Sequence, residues 1–255
     1  MQPKDLQQTT VQSHQQVQQL DDFRIAFGGE GECQLTHARN NHTMVHFDFI
    51  EVGTSDFDTL LQDLAYDESR MHVSNVRGIS IEPLKCYLDR LPNDPRVTKV
   101  CAAISNFSGK VKTFYVEPSE ISKHQLPHWM RGCNSIITPH PEVATNLKSL
   151  KLEHLQIELE VPCMTLLEVV EKFNVSSIGL LKLDCEGHDP VILRNFIETF
   201  ADKPLELLPK MIQFEFNHLS SVSEVQQIIN ELQEGKWSYK TASRVPNGDI
   251  LLQRD

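Results

Sequence analysis

The sequence has no long apolar run, no Cys-x-x-Cys pair and no excess of basic residues. A membrane-spanning helix needs about 18 or more consecutive apolar residues, so we expect no membrane association. The formal net charge is −11, from 24 basic and 35 acidic residues, and an acidic surface repels the phosphates of nucleic acids. We therefore expect no nucleic acid partner, and the oligomeric state stays open.

The cysteines and the N-terminus bear on the cellular compartment. The six cysteines occur singly, several of them inside predicted strands or helices, which predicts reduced, mostly buried thiols. The first 20 residues contain eight glutamines and lack the apolar stretch of a signal peptide. We expect residues 1–20 to form a flexible tail and the protein to be cytoplasmic.

From His46 onward, apolar runs typical of buried strands alternate with segments of helical spacing. This order predicts an α/β fold with a doubly wound, mostly parallel seven-stranded sheet, Rossmann-like, in three αβα layers. The turn Asn247-Gly248 predicts an antiparallel C-terminal hairpin. We assign residues 21–255 to a single domain. The predicted strands are Phe47–Val52, Val76–Ile81, Val97–Ala102, Val111–Val116, Leu155–Val161, Ile178–Leu183, Met211–Phe216, Trp237–Thr241 and Ile250–Gln253. The predicted helices are Thr59–Ala65, Pro83–Leu91, Met164–Phe173, Pro190–Phe200 and Val222–Leu232.

Residues 117–150 interrupt the alternation of strands and helices. They contain four prolines, and we find no long periodic element among them. A loop-rich insertion of this length in a compact domain is usually functional or mobile.

Ligands of a doubly wound sheet bind beyond the carboxyl ends of its strands. The loop after the first strand has one glycine, Gly53, where a dinucleotide site has the pattern G-x-G-x-x-G. The loop's Glu51 and Asp56 suit a cofactor with a positive charge and an ammonium group, and a purely structural turn is equally compatible. Glu82, after the second strand, can accept the hydrogen bonds of a ribose diol. The small residues of Ala103–Ser105 can let an adenine lie against the backbone.

The densest polar cluster follows the predicted strand Ile178–Leu183 and contains Asp184, Glu186, His188 and Asp189. Asp184 comes directly after the strand, so we expect it at the floor of the cleft. Glu186 and Asp189 can instead cap the next helix. Glu215 ends the next strand, where a carboxylate lies beside Asp184 or fixes the cleft wall.

Four stretches, in this order, resemble the FkbM-type methyltransferases, a branch of the class I family that uses S-adenosylmethionine. The stretches are Phe47–Gly53, Ile81–Pro83, Ala103–Val111 and Leu181–Gly187. The resemblance spans about residues 46–216. The first loop departs from the family's pattern, because Asp56-Phe57 stands where a second glycine is usual.

The resemblance implies S-adenosyl-L-methionine as cofactor and methyl transfer to a hydroxyl of a sugar, glycan or natural product. The catalytic candidates are Asp184, Glu186, His188 and Glu215. The cofactor-binding candidates are Glu51, Gly53, Thr54, Ser55, Asp56, Glu82, Pro83, Ala103, Ile104, Ser105 and Asp184. A divalent cation such as Mg²⁺ on Asp184, Glu186 and Glu215 is a further possibility.

Three alternatives remain open. The acceptor can be a protein or an amine, which makes the enzyme an N-methyltransferase. The chain can also be a non-catalytic module that binds a cofactor or a partner protein. We expect the insertion at 117–150 either to cover the acceptor or to be a structural surface loop. Its apolar and hydrogen-bonding residues that would suit a sugar face are His128, Trp129, Met130, Arg131 and Asn134.

Overall fold

The computed structural model describes residues 43–56, 59–60, 76–244 and 248–255. The predicted tail at residues 1–20 and most of the predicted helix Thr59–Ala65 lie outside these ranges. No helix among the described residues is long and apolar enough to cross a membrane.

The largest element of the fold is a seven-stranded sheet with the strand order β10-β11-β9-β8-β1-β2-β3. Five of its strands are parallel to their neighbours, and β11 runs antiparallel to both β9 and β10. The prediction of a mixed α/β fold with a large, mostly parallel sheet is confirmed, and the three-layer arrangement stays a prediction. The strands are β1 Val45–Val52, β2 Gly78–Ile81, β3 Val97–Val100, β8 Val175–Leu183, β9 Met211–Glu215, β10 Lys240–Arg244 and β11 Asp249–Gln253.

Three amphipathic helices pack against this sheet: α4 Leu166–Lys172, α5 Asp189–Thr199 and α6 Val222–Gln233. Helix α4 begins with a capping box, in which Thr165 accepts from the Glu168 amide and Glu168 accepts from the Thr165 amide. The apolar faces of the three helices join the main core together with residues of β1, β2, β8, β9 and β11. Burial of these faces holds the strand ends, and therefore the loops after them, in fixed positions.

Two predicted strands belong to a second, smaller sheet. Strands β5 Gly109–Val116 and β7 Gln156–Met164 pair antiparallel in a four-stranded sheet of order β4-β7-β5-β6, in which β4 is Ala103–Ile104 and β6 is Ser135–Ile136. Lys110 Nζ lies 2.8 Å from Glu160 Oε1 across the pair. Such exposed charge pairs suit a sheet with one face in solvent.

The expectation that residues 117–150 are loop-rich is wrong. They contain helix α2 Pro118–Lys123, a 3₁₀ turn His128–Arg131, strand β6 and helix α3 Pro141–Leu150. Each helix has its proline in the first turn, where the missing amide hydrogen costs nothing. Their apolar side chains form a separate small core: Val116, Ile121, Leu126, Met130, Val143, Leu147 and Leu155.

Three smaller expectations also need correction. The predicted helix Pro83–Leu91 is the single turn α1, Lys85–Leu88. Strand β10 starts three residues after the predicted Trp237, because Trp237 and Tyr239 pack into the core before the strand begins. The expectation of six reduced cysteines is wrong for Cys101, which is disulfide-bonded, so the cysteines no longer support a cytoplasmic location.

Candidate active site

The predicted ligand-binding residues meet at one edge of the large sheet. Strands β2, β1, β8 and β9 are neighbours and run parallel, so the loops after them leave at the same edge. The loops after β2, β1 and β8 carry Glu82, Gly53 and Asp184, and Glu215 is the last residue of β9.

Gly53 lies where the loops of β1 and β8 touch. Its φ is +80°, and a Cβ atom at this position would lie 2.0 Å from the carbonyl oxygen of Asp184. The Asp184 amide donates to Val52 O at 3.0 Å. Glycine is therefore required here by the close approach of two loops of the protein itself.

Glu51 is fully buried and joins the first loop to its surroundings. Its Oε1 accepts from Lys182 Nζ at 3.0 Å. Its carboxylate also accepts from the Leu60 amide, at 3.1 and 3.2 Å from the two oxygens. These contacts fix the residues on both sides of the loop. Glu51 therefore determines the shape of the cleft.

Glu82 lies at the end of β2 with 2% of its surface exposed. Its two carboxylate oxygens accept from the amides of Ser55, at 2.8 Å, and Leu84, at 3.0 Å. Burial raises the pKa of Glu82 to about 7, although the two amide hydrogen bonds lower it. The carboxylate is therefore held rigidly, with further lone pairs to accept a ligand hydroxyl.

Asp56 links the first loop to the 3₁₀ turn His128–Arg131. Its carboxylate forms an ion pair with Arg131 and lies 3.6 Å from Arg90 Nη1. The neighbouring Ser55 Oγ donates to Arg131 O at 3.0 Å. Asp56, which stands where the family usually has a second glycine, is therefore paired with an arginine from another part of the chain.

A small cavity of about 40 Å³ lies among these loops. The predicted cofactor residues that line it are Gly53, Ser55, Glu82, Pro83, Ala103, Ile104 and Asp184, whereas Glu51, Thr54, Asp56 and Ser105 do not. Gly132, Asn134 and Ile136 close its other side. Because ligand pockets usually measure about 300–1,000 Å³, a nucleoside requires these loops to separate.

A larger cavity of about 360 Å³ adjoins the first. Residues 135–141 form one wall, and Cys185–His188 with Leu219 form the other. Ile136 and Cys185 line both cavities. The sheet edge therefore has two adjoining compartments, as a reaction between two ligands requires.

Comparison with known families identifies the chain. A family model described as the methyltransferase FkbM domain matches residues 38–238. The chain belongs to this family. No curated protein and no solved structure matched the chain. The resemblance inferred from the four sequence stretches is confirmed.

In this FkbM domain, Asp184 faces the smaller cavity. Burial raises the pKa of Asp184 to about 8; Lys182 lowers it, and the carboxylates of Asp189, Glu215 and Glu186 raise it further. A cation in the cavity would favour the ionised carboxylate.

Asp189 and His188 organise the loop after β8. The buried Asp189 accepts from the amides of Cys185 at 2.9 Å and Glu215 at 3.0 Å, so it ties together the loops of β8 and β9. Burial lowers the pKa of His188 to about 4. The neutral ring lies in the larger cavity, with Nε2 3.0 Å from Ser105 Oγ.

The three predicted metal ligands come together. The ligand atoms of Asp184, Glu186 and Glu215 lie within 4.8 Å of one another. Glu215 Oε2 is buried and has no hydrogen-bond partner among the described residues, and burial raises the pKa of Glu215. The grouping is as expected, and the Mg²⁺ ion stays a prediction.

None of the five residues of the insertion that were expected to contact an acceptor lines the larger cavity. Met130 is buried in the small core, Arg131 pairs with Asp56, and Asn134 lines the smaller cavity. Neither His128 nor Trp129 lines the larger cavity.

The sequence analysis missed His140 and Cys133. His140 lines the larger cavity, and Cys133 and His140 form a compact group with Glu186. The sequence pattern that could have revealed His140 is Pro141 followed by Val143 and Leu147. This pattern marks the start of a helix, with His140 as its N-cap residue.

Proposed function

We propose that the chain is an S-adenosylmethionine-dependent methyltransferase that methylates a hydroxyl group of a sugar, glycan or natural product. The observation that supports this proposal most directly is that one cavity, which adjoins a second, larger one, is lined by Gly53, Glu82, Ala103, Ile104 and Asp184. The family supports methyl transfer, and the two compartments suit a methyl donor and an acceptor.

The residues of the smaller cavity match the parts of the donor. Glu82 offers lone pairs to a ribose diol, and Ala103 and Ile104 offer a flat apolar surface to adenine. Asp184 offers a carboxylate to the cationic end. S-adenosylmethionine supplies an activated methyl group, so the protein's task is to align donor and acceptor and to exclude water.

The acceptor proton needs a base in or beside the larger cavity. His188 is a weak base because its pKa lies at about 4, and Asp184 faces the other cavity. Glu186 lines the larger cavity itself, so we assign it the role of the base that takes the acceptor proton. Mg²⁺ is not part of this proposal, because Glu186 Oε2 already lies 3.3 Å from His140 Nε2.

An amine acceptor is the second candidate function. It is favoured by the grouping of Asp184, Glu186 and Glu215, since three carboxylates attract a cation. A panel of methyl glucoside, methyl rhamnoside and glucosamine, assayed with labelled methyl donor and followed by determination of whether the methyl group is on oxygen or nitrogen, separates hydroxyl from amine methylation. The acceptor class and a cytoplasmic location stay proposals.

Calorimetry at pH 8 tests cofactor binding. Glu82→Gln keeps the size of the side chain and removes one acceptor of the ribose diol. We expect binding of S-adenosylmethionine to weaken by about 1.5–3 kcal/mol, while Glu160→Ala, at an exposed position of β7, leaves it unchanged. Absence of binding to the wild type at millimolar cofactor would refute the enzyme proposal and favour a non-catalytic module.

A further inference from the structure

Glu186 occupies an unusual position in the wall of the larger cavity. Its φ is +51°, a left-handed conformation that non-glycine residues rarely adopt and that clusters at functional sites. Its side chain is 15% exposed, so it reaches the cavity while most of it is enclosed.

His140 contacts this carboxylate with one ring nitrogen and caps a helix with the other. The ring caps helix α3, because Nδ1 accepts from the Val143 amide at 3.5 Å. A nitrogen that accepts a hydrogen bond carries no proton, so the neutral ring has its proton on Nε2. Nε2 lies 3.3 Å from Glu186 Oε2, so this nitrogen and the carboxylate are in direct polar contact.

Cys133 lies beside the same carboxylate, because the ligand atoms of Cys133, His140 and Glu186 lie within 4.8 Å of one another. Burial and the neighbouring Glu186 raise the pKa of its thiol. Two side chains of the insertion thus enclose one carboxylate in the wall of the larger cavity.

A metal ion on Cys133, His140 and Glu186 is the competing interpretation, since their ligand atoms lie within 4.8 Å of one another. A histidine that binds a metal normally donates from its other nitrogen. In His140 that nitrogen accepts from Val143, and Nε2 keeps its proton. The observations therefore favour direct contact between the His140 ring and the Glu186 carboxylate over a shared metal ion.

We infer that His140 is a positioning residue that orients Glu186 toward the acceptor cavity, where Glu186 takes the proton of the acceptor hydroxyl. The inference rests on the proposed function. As the acceptor oxygen bonds to the methyl carbon, the carbon–sulfur bond breaks and its electron pair stays on sulfur. The hydroxyl proton passes to Glu186.

Two substitutions at His140 separate its two contacts. His140→Asn keeps the helix cap, since asparagine is a preferred cap residue, but its side chain is too short to reach Glu186. His140→Gln reaches Glu186 with an amide donor and is a poorer cap. His154→Asn, at an exposed 3₁₀ turn, is the matched control.

We expect His140→Asn to lower kcat on the hydroxyl acceptors of the panel by about 10- to 100-fold. Its unfolding midpoint and its affinity for S-adenosylmethionine should stay those of the wild type. His140→Gln should unfold more easily yet retain more turnover. The double variant with Glu186→Gln should be no slower than Glu186→Gln alone, because a positioning effect disappears with the group positioned.

The ring-nitrogen NMR spectrum tests the contact without any acceptor. We expect the tautomer with the proton on Nε2, and a shifted Nε2 resonance in Glu186→Gln. A proton on Nδ1, wild-type turnover in His140→Asn, or turnover that follows stability in both variants would overturn the inference. Failure of the wild type to bind S-adenosylmethionine would instead overturn the proposed function, and the two failures are therefore distinguishable.

Discussion

Substitution of Gly53 by alanine tests the contact on which the smaller cavity depends. The new methyl group would lie 2.0 Å from the carbonyl oxygen of Asp184, whereas ordinary contacts to a Cβ atom are 3.4 Å or longer. The loops of β1 and β8 must therefore separate by more than 1 Å, as the difference 3.4 − 2.0 = 1.4 Å indicates.

Two costs add up in this variant. A left-handed conformation costs a non-glycine residue about 1–2 kcal/mol, and overpacking a well-filled site costs about 1–3 kcal/mol. We expect Gly53→Ala to lose about 2–5 kcal/mol of unfolding free energy. At about 2–4 °C per kcal/mol for a chain of this size, the melting temperature should fall by about 4–20 °C.

Gly235 provides the matched control for denaturant unfolding. Its φ is +54°, and no atom lies within 4 Å of a Cβ atom built on it. Gly235→Ala therefore has the conformational cost without the overlap, about 1–2 kcal/mol. If both variants lose the same free energy, the close approach of the two loops has no energetic weight and our account of Gly53 is wrong.

Two further predictions concern pH. Because the folded-state pKa of Glu82 is raised to about 7 from 4.5, its protonated form stabilises the fold fully below pH 4.5, and this contribution is lost as pH rises to 7. Urea unfolding should show stability decreasing over that range with a slope smaller in Glu82→Gln by at most about 1.4 kcal/mol per pH unit; an unchanged slope would contradict the assignment. Because the pKa of Asp184 lies at about 8, the affinity for S-adenosylmethionine should rise from pH 6 to 8 as the carboxylate ionises. Asp184→Asn, or the product S-adenosylhomocysteine, which lacks the sulfonium charge, should flatten that rise in calorimetry. Equal pH dependence for donor and product would refute an interaction of Asp184 with the sulfonium.

The strand ends were predictable because their determinants are local. Apolar runs such as Phe47–Val52 and Ile178–Leu183 become central strands since only a buried sheet can accommodate them. Once the sheet is parallel, the residues directly after its strands share one edge. The location of Glu82 and Asp184 at one cavity could therefore be predicted without any knowledge of tertiary contacts.

The contacts of the larger cavity were not predictable in this way. His140 and Cys133 reach Glu186 because β6 pairs with β5, where Thr113 and Phe114 lie opposite Ile136 and Ser135. Strand β6 has two residues, too few for any periodic pattern to reveal. The small core under the insertion depends on apolar residues spread from Val116 to Leu155, and no local window contains them together.

The first loop illustrates how a departure from a family's pattern can carry structural information. A second glycine would leave the loop without a side chain at Asp56, and the ion pair with Arg131 would be lost, leaving the hydrogen bond from Ser55 Oγ to Arg131 O. Asp56 instead pairs with Arg131, and Gly132 and Asn134, directly after that arginine, line the smaller cavity. The substitution therefore connects the loop that begins the cofactor cleft with the segment that closes it. Since the closed cleft is too small for a nucleoside, entry of the cofactor and separation of Asp56 from Arg131 are expected to be one event.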